Sequence, residues 1–317
     1  MTPWRAAAAS LLLLFAPAVW ATEHCGGATA WQVLGSGGPE LNGRAQSGHV
    51  LWLDGKARAL FDAGAGTAVA FGKEGGRIED LHVIALSHLH SDHSADLPAY
   101  LKAGVFGERE APLPIFGPPA GGGFPSLDDW LAALIGAERS AYPYLGGFLH
   151  PDGAPFRIVP TTLSLRRGEI TKVFDDGTTR LLATPVRHGP VPALAWQVEA
   201  GGHAVVYLGD TDAREPALTG LAKDADLLVA NLAIPEDSDD EVANALHAPP
   251  SRIARLAAQA GVRRLLLSHL MRRSEQDLPH ALRVIAGIYA GPVDVAYDGQ
   301  CLRLDARLNA SDTRHTP

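Results

Sequence analysis

Short apolar runs separated by glycine turns fill the first third of the chain: Ala30 to Leu34, His49 to Leu53 and Ala59 to Phe61. Runs of that length, bounded by turn residues, predict an antiparallel meander. Val83 to Leu86 is another such run, and it stops where a group of histidines begins. Strand-like stretches return at Thr179 to Thr184, Leu194 to Val198, Ala204 to Leu208, Leu227 to Leu232 and Leu265 to Leu267. Ile253 to Ala260 and Leu278 to Tyr289 instead space their apolar residues with helical period. The densest breakers, Gly117-Pro118-Pro119 and Gly121 to Gly123, have strand-like and helix-like segments on both sides. Grouped strands with interspersed helices and no dividing linker predict one α/β sandwich domain over residues 22–317.

Residues 1–21 stand apart from that pattern. Arg5 precedes an apolar run from Ala6 to Ala16, and Val19-Trp20-Ala21 offers small residues where a signal peptidase reads. The run is too short to span a bilayer core of about 30 Å. A cleaved signal peptide is therefore expected, with a periplasmic or secreted product and no stable membrane insertion after its removal. The two cysteines, Cys25 and Cys301, then allow a disulfide between the chain ends. Two unrelated thiols are the alternative.

Composition adds one constraint. With 27 basic and 35 acidic residues the formal charge is −8. That balance argues against a binder working by phosphate neutralisation, and nucleic acid is not expected as a partner.

The chemistry concentrates in Ser87-His88-Leu89-His90-Ser91-Asp92-His93, directly after a strand. Three imidazoles and a carboxylate in six residues supply a donor set suited to zinc. At a strand end His88 and His90 point the same way, because side chains alternate with period two. Asp92 and His93 sit one turn on and can face a second ion. Further ligand types end other apolar runs: His188 after Thr184 to Arg187, Asp210 after Val206 to Gly209, and His269 after Leu265 to Ser268. One histidine after a strand is ordinary. Four strand ends carrying such residues are not, because a sheet collects its strand ends at one edge.

These residues, with Leu34 to Pro39, Asp62-Ala63-Gly64, Thr184 to Trp196, Tyr207 to Thr211 and Ser268-His269-Leu270, resemble the metallo-β-lactamase superfamily. Within it the chain is most similar to the ribonuclease Z and arylsulfatase-like phosphodiesterase branch. The resemblance implies a four-layer αββα sandwich and a site for two Zn2+, with Mn2+ or Fe2+ as alternatives. It implies one ion on His88, His90 and His188, a second on Asp92, His93 and His269, and Asp210 bridging them. His247, 22 residues before His269, falls where such proteins place a histidine that serves the leaving group or the charged transition state.

Two departures stand out. The family's His-Glu-Ala segment reads Asn231-Leu232-Ala233 here, which leaves the partner of His247 open, with Glu236 or Glu241 as substitutes. The arm that grips tRNA in tRNA-processing members has no room in the 22 residues from His188 to Asp210.

The expectation is thus an exported dinuclear zinc hydrolase of small phosphodiesters or aryl sulfate esters. A hydroxide shared by the ions attacks, Asp92 orients it, and His247 assists departure. A lactone or thioester hydrolase is the rival within enzymes, and a non-catalytic periplasmic zinc-binding protein the rival outside them. The partner expected is a small-molecule ester, and a homodimer is left open. His24, His49, His82, His150, His203, His280 and His315 match no ligand position. Tyr142, Tyr144 and Phe148 line a substrate pocket or serve packing.

Overall fold

The computed structural model describes residues 25, 27–136, 139–150 and 153–304. The expected signal peptide, residues 1–21, lies outside the described residues. The first half runs β1 (Thr29–Gly35), β2 (Gly48–Leu53), β3 (Lys56–Phe61), α1 (Thr67–Lys73), β4 (Val83–Ala85), α2 (Ser91–Ser94), α3 (Leu97–Gly104), β5 (Leu113–Gly117), α4 (Leu127–Ile135) and β6 (Ile158–Thr162). The second half begins with β7 (Thr171–Asp175), β8 (Thr179–His188), β9 (Val191–Ala200), β10 (His203–Tyr207), α5 (Ala217–Leu221) and β11 (Leu227–Asn231). It ends with α6 (Glu241–Leu246), α7 (Pro250–Ala260), β12 (Leu265–Ser268), α8 (Arg272–Gln276), α9 (Leu278–Ala286), β13 (Val293–Val295) and β14 (Cys301–Arg303).

Two seven-stranded mixed sheets result, ordered β14-β1-β2-β3-β4-β5-β6 and β13-β12-β11-β10-β9-β8-β7. The predicted meander is β1-β2-β3, antiparallel throughout. Three apolar cores explain why so many strands read as unbroken hydrophobic runs. Trp31, Val33, Phe61, Leu181, Trp196 and Tyr207 pack between the sheets. Ala30, Leu34 and Leu60, on alternate positions, pack outward on helices α1, α3 and α4. Leu228, Ala230 and Leu267 do the same under α5, α7 and α9. Strands buried on both faces have no polar side to show. The four-layer αββα sandwich is the fold.

Helix α9 stops at Ala286, short of the predicted Tyr289, with Gly287 as its C-terminal cap. The C-terminal strand β14 crosses back to pair with β1, and a Cys25–Cys301 disulfide fastens that edge across 276 residues of sequence. Among the described residues no helix is long and apolar enough to cross a membrane. The strands β3, β4, β8, β10, β11 and β12 all release their C-terminal ends, or the turns after them, toward one edge of the sandwich.

Candidate metal centre

That edge carries all seven ligand candidates and His247. His88 follows β4, and His90 begins the single turn of α2, which turns Asp92 and His93 inward. His188 ends β8, Asp210 follows β10, and His269 follows β12 with φ 56°, a left-handed conformation uncommon outside glycine. Gly64 makes the motif possible: a Cβ there would stand 2.1 Å from the Asp92 carbonyl oxygen.

Two sets of donors form. Nε2 of His88 lies 2.9 Å from Nδ1 of His90, which lies 3.4 Å from Nε2 of His188. In the second set, Oδ2 of Asp92 lies 3.2 Å from Nε2 of His269 and 3.5 Å from Nε2 of His93. Ligands about 2.0–2.1 Å from a tetrahedral ion stand roughly 3.3 Å apart, so the spacing fits one ion per set. Oδ2 of Asp210 sits between the sets, 3.9 and 3.7 Å from Nε2 of His88 and His188, and 3.6 and 3.4 Å from Nε2 of His93 and His269. Nε2 of His93 is buried without a hydrogen-bond partner, as a nitrogen kept for an ion would be. The described residues thus carry two His/Asp groups able to hold metal ions.

The fold aims these rings through their other nitrogens. Asp62 is the main brace. Its Oδ2 accepts from Ser87 Oγ (2.6 Å) and Tyr207 OH (2.7 Å) and lies 2.7 Å from Nδ1 of His93, while Oδ1 accepts from the Ser87 N–H (2.6 Å). Nδ1 of His188 points to the Leu246 carbonyl oxygen at 2.8 Å. Asn231 Nδ2 donates to Asp210 Oδ1 at 2.7 Å, which holds that carboxylate's second oxygen still. Asn231 therefore does structural work at the departure from the family's His-Glu-Ala segment.

Charge follows burial and neighbours. Burial pushes the Asp92 carboxyl upward, but His93 and His269 outweigh it and hold it at about 2. The same balance, with His269 and His93 prevailing over burial, keeps Asp210 well below the usual carboxylate range. Burial lowers His88, with His93 adding to the effect. His93 goes the other way: burial is overcome by Asp210, Asp92 and Asp62.

His247 caps the C-terminal end of α6, as a helix-end histidine would, yet it is only 6% exposed. Its ring stands 5.4 Å from that of His188 and 5.7 Å from that of His269, with Nδ1 3.9 Å from Asp210 Oδ2. Neither expected carboxylate serves it. Glu236 accepts from the Ser251 N–H, and Glu241 is exposed. Nδ1 of His247 has no hydrogen-bond partner, and burial presses the ring down to about 3.

Residues 57–270 match the family model described as a beta-lactamase superfamily domain. The chain belongs to this superfamily. Ribonuclease Z of Myxococcus xanthus is 27% identical over 278 residues, 78% of this chain and 89% of that protein. Ribonuclease Z of Haloferax volcanii is 28% identical over 311 residues, 86% of this chain and 93% of that protein. Among solved structures, human tRNase Z, short form, superposes with a TM-score of 0.66 at 21% identity, covering 87% of this chain and all of that one. The metallo-beta-lactamase fold protein YhfI of Bacillus subtilis gives 0.65 at 23% identity, over 86% and 98% of the two chains. The resemblance of this superfamily member to the ribonuclease Z branch thus extends over most of the chain.

These relatives correct two expectations. Ribonucleases aligned over about four-fifths of the chain contradict the exclusion of nucleic acid as a partner. They equally overturn the reading as a hydrolase of small phosphodiesters or aryl sulfates. The physical reason is that net charge sums over the whole surface, whereas a phosphodiester is met locally, at the ions and the mouth around them.

Three contributors escape sequence reasoning. Along the chain Asp62 stands out only as part of a motif, Asn231 only as a departure, and His49 only as an ordinary histidine. His49 is fully buried, its ring 5.5 Å from Trp31 and 5.1 Å from Tyr207, with Nε2 3.5 Å from Ser268 Oγ. A polar residue inside an apolar strand run, as at His49, is the signal that could find it. Of the aromatic cluster, Phe148 is core, packed on Phe156, whereas Tyr142 and Tyr144 are exposed.

Proposed function

We propose that this superfamily hydrolase is a metal-dependent phosphodiesterase that cleaves RNA. The observation carrying the reading is the placement of Asp210 Oδ2 between the two donor sets. Relatives named ribonuclease Z supply the substrate class. His88, His90 and His188 would hold one zinc ion, Asp92, His93 and His269 the other, and Asp210 would face both, with manganese or iron as chemical alternatives. Ions held there would supply Lewis acidity at a phosphoryl oxygen and a water that ionises near neutral pH. Asp92 would orient the attacking water, and the His247 ring would hydrogen-bond the departing oxygen. Asp62 and Asn231 keep that arrangement fixed before substrate arrives.

The test is incubation of zinc-loaded full chain with end-labelled RNA carrying a 3′ extension, with products resolved by length. Discrete cleavage that disappears in Asp210→Ala is expected. RNA left as intact by the wild type as by Asp210→Ala would sink the reading.

A further inference from the structure

We propose that a recess beside His188 is a subsite for one base of the RNA strand, with Arg167 engaging a neighbouring phosphate. This rests on the reading of the chain as an RNA phosphodiesterase.

The segment from His188 to Asp210 is β9, β10 and short turns, with no protruding arm, which turns attention to the rim of the site itself. The rim has a built depression. A recess of about 210 Å³ opens next to His188, bounded by Gly189 and Pro190 of the β8–β9 turn, by Pro185 and Pro192, and by Leu163 and Leu165 after β6. It begins one residue from a proposed metal ligand. Its lining includes Leu194, whose N–H bonds the Ser87 carbonyl beside His88. The glycine-rich segment after β5 backs the recess. Gly121 and Phe124 exchange backbone hydrogen bonds of 3.1 and 2.8 Å across Gly122 and Gly123, both with positive φ. Gly122 lies so close to the turn that a Cβ would stand 1.9 Å from the Pro190 carbonyl oxygen.

Size and chemistry then choose the occupant. The recess is smaller than the 300 Å³ or so at which drug-sized sites begin, enough for one flat ring system and too small for a paired duplex. Its proline rings lack N–H groups and present rigid CH faces, which suit stacking better than hydrogen-bond readout. Arg167 also lines the recess, exposed and without an ion-pair or hydrogen-bond partner among the described residues, although Arg166 beside it pairs with Glu169. A free guanidinium next to an apolar slot matches a nucleotide: base inside, phosphate at the rim.

Calorimetric titration of zinc-loaded full chain with uridine or adenosine monophosphate, and with ribose 5-phosphate, reads this directly and needs no turnover. At least one nucleotide should bind roughly tenfold or more tighter than the baseless sugar phosphate, within the range base stacking supplies. Leu165→Trp, which fills the recess, should abolish that difference and leave ribose 5-phosphate binding alone, which also shows that the variant is folded. Arg167→Glu, at an exposed position, should weaken all three ligands, with Arg167→Lys recovering part of the loss. Equal binding of nucleotides and ribose 5-phosphate to wild type, or a preference that survives Leu165→Trp, overturns the subsite. Intact RNA with a base preference retained would sink the nuclease reading alone; cleaved RNA without the preference sinks only the subsite.

Discussion

The two donor sets are built differently. Asp92, His93 and His269 are all buried, and His93 is fixed by Asp62, which also accepts from Ser87 and Tyr207. His88 and His188 are buried as well, but His90 is only half-buried and faces the half-buried ring of Phe124 at 5.3 Å. His188 is aimed by one backbone carbonyl from the end of α6. One set is therefore enclosed and braced by the sheet core, while the other is partly open at His90. Preorganisation raises affinity by reducing what must be ordered on binding, so the enclosed set should hold its ion more tightly.

The largest effect belongs to the residue that joins the two. Asp210→Ala should strip both sets together: metal analysis falls from two equivalents of zinc per chain toward none, and RNA cleavage drops to background. His188→Ala should instead cost the open set alone. One tightly held ion in wild type, unaffected by Asp210→Ala, would break the comparison at its root.

His247 stands over both sets, and His247→Ala should slow RNA cleavage by roughly 10²–10⁴-fold, the span of acid–base assistance, with zinc content unchanged. RNA with sulfur in place of the departing bridging oxygen needs no such help and should lose far less. Equal losses on both substrates would place His247 outside the departure step.

Asp62→Asn sharpens the contrast between the sets. Losing the brace on His93 should weaken the tighter of two zinc-binding phases by roughly 10–100-fold and leave the weaker phase in place. Uniform weakening in a zinc titration would mean that Asp62 supports the sheet edge as a whole.

The smallest effect is read in acid, on metal-free protein. Burial, with His93 and His269 adding to it, presses His49 down to about 3, well under its ordinary value of 6.5. Between those values the unfolded chain binds one more proton at this position, so stability is full above 6.5 and falls as pH drops toward 3. The slope attributable to His49 is about 1.4 kcal/mol per pH unit. His49→Phe keeps a ring between Trp31 and Tyr207 and removes the proton, so its urea-unfolding stability should fall less steeply over that window. Parallel curves would take His49 out of the acid response.

Part of each donor set is legible in the amino-acid order alone. His88, His90, Asp92 and His93 lie within six residues, and a strand followed by one helical turn can hardly scatter them. His188, Asp210 and His269 are legible because each ends an apolar run, and parallel neighbours such as β10, β11 and β12 must release their ends together. The bracing is hidden. Asp62 and Tyr207 are 145 residues apart and meet only because the two sheets stack face to face.

What the sequence determined by itself is the donor inventory and the layered fold, since ligand type and apolar periodicity are local properties of the chain. Tertiary structure decided which nitrogen of each ring is free, that Asn231 steadies Asp210, that the carboxylate beside His247 is Asp210 and neither Glu236 nor Glu241, and that a proline-walled recess opens beside His188. Those depend on sheet register and on the approach of distant backbones, where a shift of one residue turns every side chain to the opposite face.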